Sequence, residues 1–355
     1  MLYYYLNLRK DVFFLKNNYL NDILSFAKEI LNIPSPSGYT ENVINFIAKE
    51  VEELGYSSKR TKKGNLLIEV KGQSDFVLGL SGHVDTLGAM VRSITSSGDL
   101  KFTTIGGPIW PTLDAEYCTI HTRSNKTYQG TFLSTSPSTH VYKDASSASR
   151  TPETMVVRID EVVKSKEDTL KLGIAPGDFI FFDPKTIITK SGFIKSRFLD
   201  DKISVAILFG LLKYLKEEKI TPKQSLIFII STYEEVGHGA SFIPEVDELI
   251  AVDMGCIGED LTCTEQDVSI CCKDSSGPYD YNIITKLVNI AKDNYLKFAT
   301  DIYPFYGSDV SAALRGGKDF KGALIGPGVH ASHGMERTHK DAIENTLKLL
   351  IKYIS

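Results

Sequence analysis

The hydrophobic period of this chain changes twice, and those changes constrain its fold more than any other feature. Before Gly88 helical and strand-like runs follow one another. From Gly88 to about Gly192 there are only short alternating runs, AMVRSI, LKFTTI, CTIHT, YQGTFLS, MVVRID and FIFFD, separated by Gly, Pro, Asn and Ser. After Gly192 the earlier pattern returns. Strands set inside an α/β chain predict a mixed-sheet α/β/α domain carrying an inserted all-β, barrel-like unit. The expected division is residues 1–87 and 193–355 for the α/β domain and residues 88–192 for the insertion.

The elements are legible from spacing. Leu20, Ile23, Leu24, Ala27, Ile30 and Leu31 recur at helical intervals until PSPSG stops them. Thr40 stands as the N-cap of a second helix, whose stripe is Val43, Ile44, Ile47, Ala48, Val51 and Leu54 before Gly55. NLLIEV and FVLGL read as strands. Beyond the insertion come helix ISVAILFGLLKYLKEE, strands QSLIFIIST and LIAVDMG, helices YNIITKLVNIAK and SDVSAALRG, and strand GALIGPG. Thr338 and Asp341 are spaced as a capping box for a last helix. The Ser- and Thr-rich run STSPSTHVYKDASSASRTPE reads as a surface loop.

Composition narrows the partners. Lys+Arg 40 against Asp+Glu 44 gives a net charge of -4 with no basic stripe, which disfavours nucleic acid and anionic membranes and leaves a small ligand. The Cys count of 5 is odd and includes no CxxC pair, so the expectation is a reducing, cytoplasmic home. The aromatic start MLYYYLNLRKDVFFLKNN is interrupted by Arg9, Lys10 and Asp11 and does not read as a signal peptide. No apolar run approaches the ~20 residues of a membrane span.

Chemistry collects where the strands end. His83 follows FVLGL, Glu234 and Glu235 follow QSLIFIIST, Asp253 ends ELIAV, His333 lies beyond GALIGPG, and Asp200 opens the helix after the insertion. In open α/β sheets such ends converge on one crevice. Imidazoles and carboxylates without thiolates suit zinc, cobalt or manganese in hydrolytic sites. Singly, each residue has a plain explanation: Asp200 and Asp201 as a helix N-cap pair, or a histidine as an ordinary polar residue. Asp85, two residues after His83, is placed to accept an imidazole N–H or to orient a nearby acid. Two acids directly after an apolar strand are costly unless each has a partner, and Asp253 repeats that argument.

The ordered set SGHVDT, FLDDK, TYEEVGHGA, AVDMG and ASHGMERTH resembles that of the dinuclear metallo-aminopeptidases typified by the tetrahedral, dodecameric TET peptidases and related to glutamyl aminopeptidase. The resemblance runs along nearly the whole chain, including the inserted β unit. It implies His83 and Asp253 on one metal ion, Glu235 and His333 on the other, Asp200 bridging both, Glu234 as general base and Asp85 as a supporting acid. It further implies two divalent ions, zinc or cobalt with manganese as a third candidate, peptide substrates, and a homo-oligomer as large as a dodecamer assembled through the insertion.

The chain departs from that pattern in places. Lys202 follows Asp200 and Asp201 where arginine is usual, and His238 replaces an apolar residue. The final motif offers His330, His333 and His339. His333 is chosen because Gly334, Met335 and Glu336 best mimic the residues after the family's ligand, with His330 as the alternative and His339 expected in the first turn of the last helix, facing solvent. Asp309 reads equally well as a helix N-cap or as a wall of the site, and Asp274, Tyr279 and Asp280 as turn residues. Against the aminopeptidase stand a glycoside hydrolase using the paired acids and a catalytically silent binding protein on the same fold.

Overall fold

The computed structural model describes residues 17–355, and every structural statement concerns those residues. The segment Met1–Lys16, part of the aromatic start, lies outside them. Helices α1 (Asn17–Asn32) and α2 (Glu41–Glu53) open the fold, followed by strands β1 (Ser58–Arg60), β2 (Leu66–Val70) and β3 (Val77–His83). The six strands β4 (Gly88–Ile94), β5 (Leu100–Ile105), β6 (Tyr117–His121), β7 (Thr127–Ser134), β8 (Met155–Ile159) and β9 (Phe179–Phe182) close into a barrel ordered β4-β5-β8-β7-β6-β9. Their alternation places Val91, Leu100, Phe102, Ile120, Phe132, Val157 and Ile180 inside. The insertion is not purely β. Helix α3 (Lys166–Leu172) is capped by Ser165, whose hydroxyl accepts from Asp168 N, and stopped by Gly173 at φ 90°.

Strands β10 (Ile187–Ile188) and β11 (Phe193–Ser196) lead back to helix α4 (Leu199–Glu217). Then come β12 (Ser225–Ser231), β13 (Glu248–Val252), β14 (Gly255–Cys256), β15 (Val268–Asp274), β16 (Gly277–Pro278), α5 (Tyr281–Asp293), β17 (Phe298–Ile302), α6 (Asp309–Arg315), β18 (Lys321–Val329), β19 (Glu336–His339) and α7 (Lys340–Ile354). A 10-stranded sheet runs β1-β2-β12-β3-β13-β18-β15-β16, with β14 beside β18 and β17 beside β15. β3 is parallel to β12 and β13, and β13 to β18. β2 and β15 join antiparallel. β10, β11 and β19 form a separate 3-stranded sheet.

Successive side chains of the central strands enter different cores, as the strand period of two requires. Leu80, Phe228, Ile250 and Ile325 pack under α1, α4 and α7, while Ile229, Leu249, Ala251 and Leu324 pack with Val310 and Ala313 of α6 on the other face. Among the described residues, no helix is long and apolar enough to cross a membrane. The last helix begins differently from the expectation. His339 is its N-cap, 6% exposed and accepting from Asp341 N, whereas Thr338 sits in β19 and gives its hydroxyl to Gly328 O. A buried strand partner was within reach of Thr338, and that outcompeted the local cap.

Parallel pairing brings the carboxyl ends of β3, β12, β13 and β18 together; His83 of β3 lies opposite Ser231 of β12. Gly326 of β18 makes one of these junctions feasible: a Cβ there would fall 1.9 Å from Asp253 O. Gly326→Ala should therefore destabilise the protein by about 2 kcal/mol or more, in the upper range of overpacking costs, read as a lowered urea midpoint against wild type; an unchanged midpoint would refute the close approach.

Candidate active site

The site is built on Asp200. Phe198 precedes it at φ 70°, and Asp200 and Asp201 depart from helical φ/ψ, so α4 becomes regular only from Lys202 onward. Asp200 thus faces the sheet edge. Its Oδ1 lies 3.2 Å from His83 Nε2, and its Oδ2 lies 3.6 Å from His333 Nε2. His83 also approaches Asp253 Oδ2 at 4.0 Å, and His333 approaches Glu235 Oε2 at 3.6 Å. Two donor groups result, His83 with Asp200 and Asp253, and Asp200 with Glu235 and His333, the ligating atoms of each lying within 4.8 Å of one another. His333 is thus the histidine at the site. His330 is exposed and bridges to Arg337 on the strand.

Backbone groups fix both rings. His83 Nδ1 donates to Asp85 O at 3.0 Å and His333 Nδ1 to Gly107 O at 2.9 Å, which leaves each Nε2 with its lone pair toward Asp200. Asp85 therefore serves the histidine through its carbonyl. Its carboxylate does something else: Oδ1 accepts from Glu234 N at 3.0 Å, Oδ2 from Glu235 N at 3.2 Å, and Ser37 adds its hydroxyl. The turn Glu234–Val236 is closed by Gly237 at φ 82°. Glu234 joins neither donor group, yet its Oε2 lies 3.7 Å from His83 Nε2.

Two buried acids extend this scaffold. Glu336, 2% exposed, accepts from Asp200 N at 3.0 Å through Oε2 and from His333 N at 3.1 Å through Oε1. One carboxylate therefore holds the backbones of two site residues, a role that sequence reasoning did not assign; its only signal was the acid three residues after His333. Asp201 accepts from His83 N at 3.3 Å. Asp309 is both buried and in the cavity lining, accepting from Ser231 Oγ at 2.7 Å, while Ser308 takes the cap of α6. Lys202 turns away and donates to Ile30 O and Ile33 O at the end of α1, so the lysine-for-arginine departure leaves the centre untouched. His238 stacks on Tyr233 and is exposed. Asp274 accepts from Tyr279 and Ser311 hydroxyls, and Asp280 caps α5, so all three are structural.

The centre opens into a cavity of about 240 Å³ walled by Phe305, Tyr306, Gly307, Ala312 and Arg315. Burial pushes the carboxyls of Glu234 and Glu235 well above their usual range and that of Asp253 up to about 7, with neighbouring acids adding to each. Burial also opposes ionisation of Asp200, but the His83 hydrogen bond and the charges of His83 and His333 outweigh it and hold its pKa below the ordinary value. The cluster carries more potential negative charge than two imidazoles balance. Divalent cations would supply the missing charge, and neutral imidazole with carboxylate is a donor set that fits them.

The sequence matches the model of the M42 glutamyl aminopeptidase family over residues 64–349. It is 46% identical over 334 residues to the Bacillus subtilis (strain 168) protein named "Putative aminopeptidase YhfE", covering 93% of this chain and 96% of that one. The fold is similar to a TET aminopeptidase from Thaumarchaeota archaeon SCGC AB-539-E09, with a TM-score of 0.84, 18% identity, and 94% and 96% of the two chains covered. It is likewise similar to the Pyrococcus horikoshii TET1 peptidase, with a TM-score of 0.82, 24% identity, and 94% and 99% covered. The family match spans most of the chain and the Bacillus relative is aligned almost end to end, so this chain belongs to the M42 glutamyl aminopeptidase family.

Proposed function

We propose that this chain removes N-terminal residues from peptides with two divalent ions, one held by His83, Asp200 and Asp253 and the other by Asp200, Glu235 and His333, with Glu234 moving the proton. The observation that carries this reading is the Asp200 carboxylate, whose two oxygens face different imidazoles at 3.2 and 3.6 Å. When bound, such ions supply Lewis acidity, activating water and polarising the scissile carbonyl. Glu234 takes the proton of the attacking water on its carboxylate and returns it to the nitrogen of the departing peptide. Asp85 fixes the turn bearing Glu234 and Glu235 by accepting both backbone N–H groups. Asp253 is steadied by the hydrogen bond it accepts from Met254 N. The cavity of about 240 Å³ has room for the end of a chain, in keeping with exopeptidase action.

The same reading takes zinc or cobalt, with manganese as a third candidate, as the ions, and residues 88–192 as an assembly unit. A homo-oligomer is supported by the likeness to the TET1 peptidase, which assembles into a tetrahedron or a large octahedral shell. A cytoplasmic setting is supported by Cys118, Cys256, Cys263, Cys271 and Cys272, all free thiols.

The deciding assay uses aminoacyl p-nitroanilides with the chelated protein and with added zinc, cobalt or manganese. Activity should vanish on chelation, return with metal, and fail on N-acetylated substrates. Turnover of carboxymethylcellulose alone would favour a glycosidase, and metal binding without any turnover a silent relative. Asp200→Ala should lose both ions by elemental analysis; full metal content in that variant would overturn the bridging role. Glu234→Gln should lower kcat by about 10²–10⁴, the usual worth of general acid–base catalysis, with metal content unchanged. Glu235→Gln should instead lose one ion and regain activity in excess metal, and the opposite pattern would exchange the two roles. Light scattering at micromolar concentration should give an oligomer, and a monomer would remove the assembly reading.

A further inference from the structure

One loop of the barrel reaches the centre. It leaves β5 at Ile105 and includes the short turn Trp110–Leu113. Gly107 O receives the His333 Nδ1 proton, and Ile109 N donates to His333 O at 3.1 Å. Gly106 passes so near Glu235 that a Cβ on it would come within 3.4 Å of Oε2. Thus the two side chains that share Asp200 on this side both lie against the barrel loop. His83 and Asp253, by contrast, take their hydrogen bonds from within the α/β part.

Beneath the loop lies Arg197, 2% exposed. Its guanidinium donates to Thr112 O at 2.7 Å and to Gly334 O at 3.2 Å, and Glu116 Oε1 stands 3.7 Å away. One buried cation therefore grips the barrel loop and the residue after His333 together. The grip has something to hold, because Ala331 and His333 sit at φ 60° and 63°, a left-handed backbone that non-glycine residues keep only when surroundings enforce it. A buried guanidinium is itself costly without such partners, and its planar fork suits two carbonyls at once.

We infer that the inserted barrel completes the second cation site, its loop Gly106–Thr112 orienting His333 while Arg197 is the positioning residue that clamps that loop to the His333 backbone. The inference rests on the assignment of His333 as a ligand. A shift of the barrel turns the imidazole, so the affinity of the Asp200, Glu235 and His333 group follows barrel position, and that of the His83, Asp200 and Asp253 group does not.

Two variants test this by different routes. Ile109→Pro deletes the N–H that holds His333 O; Ile109 already has φ -72°, which proline adopts, and its side chain is 46% exposed. Arg197→Met removes the fork, and Arg197→Lys restores charge without the fork. Calorimetric titration of the metal-free full-length chain with Co²⁺ reads both sites, with thermal unfolding to confirm a folded protein and His333→Ala as the reference. We expect Ile109→Pro and Arg197→Met to weaken the binding event lost in His333→Ala by about 10–100-fold, the usual effect of disturbing a ligand's support. The other event should stay at wild-type affinity, Arg197→Lys should fall between, and excess cobalt should restore kcat. Wild-type affinities for both events in Ile109→Pro would overturn the clamp even if Arg197→Met failed to fold. Two intact events in His333→Ala would overturn the ligand assignment and the clamp with it.

Discussion

Everything at this centre depends on keeping several carboxylates buried side by side. Asp85, Asp200, Asp201, Asp253, Asp309 and Glu336 are all nearly inaccessible. Burial of this kind is tolerated only where each oxygen has a partner. The fold answers with backbone N–H groups: Glu234 and Glu235 to Asp85, Asp200 and His333 to Glu336, His83 to Asp201. The acids are therefore also the struts. Each supporting acid fixes the main chain of a residue whose side chain faces the cavity, so that the same charges that make the site expensive also keep it in register.

The parts of the fold that sequence made legible are those governed by period. The helical stripes of α1 and α2, the apolar strands that end in His83 and Asp253, and the change to short alternating runs all follow from burial on one face or two. Helix α3 escaped because its single apolar turn is too short to show a stripe. Thr338 misled because a cap is a local preference, and Gly328 O offered a buried partner from a distant strand. Position 309 shows the same limit in reverse: its neighbour Ser308 took the cap and freed Asp309 for the cavity wall.

At the site, residue types were readable and their connections were not. Imidazoles and acids at strand ends announce a cation centre, since few other roles reward that combination. Which atom of Asp85 serves His83 is decided by a turn more than a hundred residues later in the chain, around Glu234. Glu336 and Arg197 look like unremarkable charged residues until the backbones they hold are known. Long-range hydrogen bonds to main-chain atoms leave no imprint on spacing, so no reading of a single sequence recovers them.

The stitching of Ser37 to Asp85 has a consequence in time. Ser35 O and Ser37 N also pair with the Thr86 main chain, so the segment after α1 is laid against the strand end that carries His83 and Asp85. The centre thus draws on residues from Ser37 to Glu336. Contacts of such sequence separation form late in folding. A nascent chain still on the ribosome lacks β18, His333 and Glu336 until synthesis is nearly finished. It therefore has no competent centre while its own exposed segments, and those of other young chains, are most open to attack.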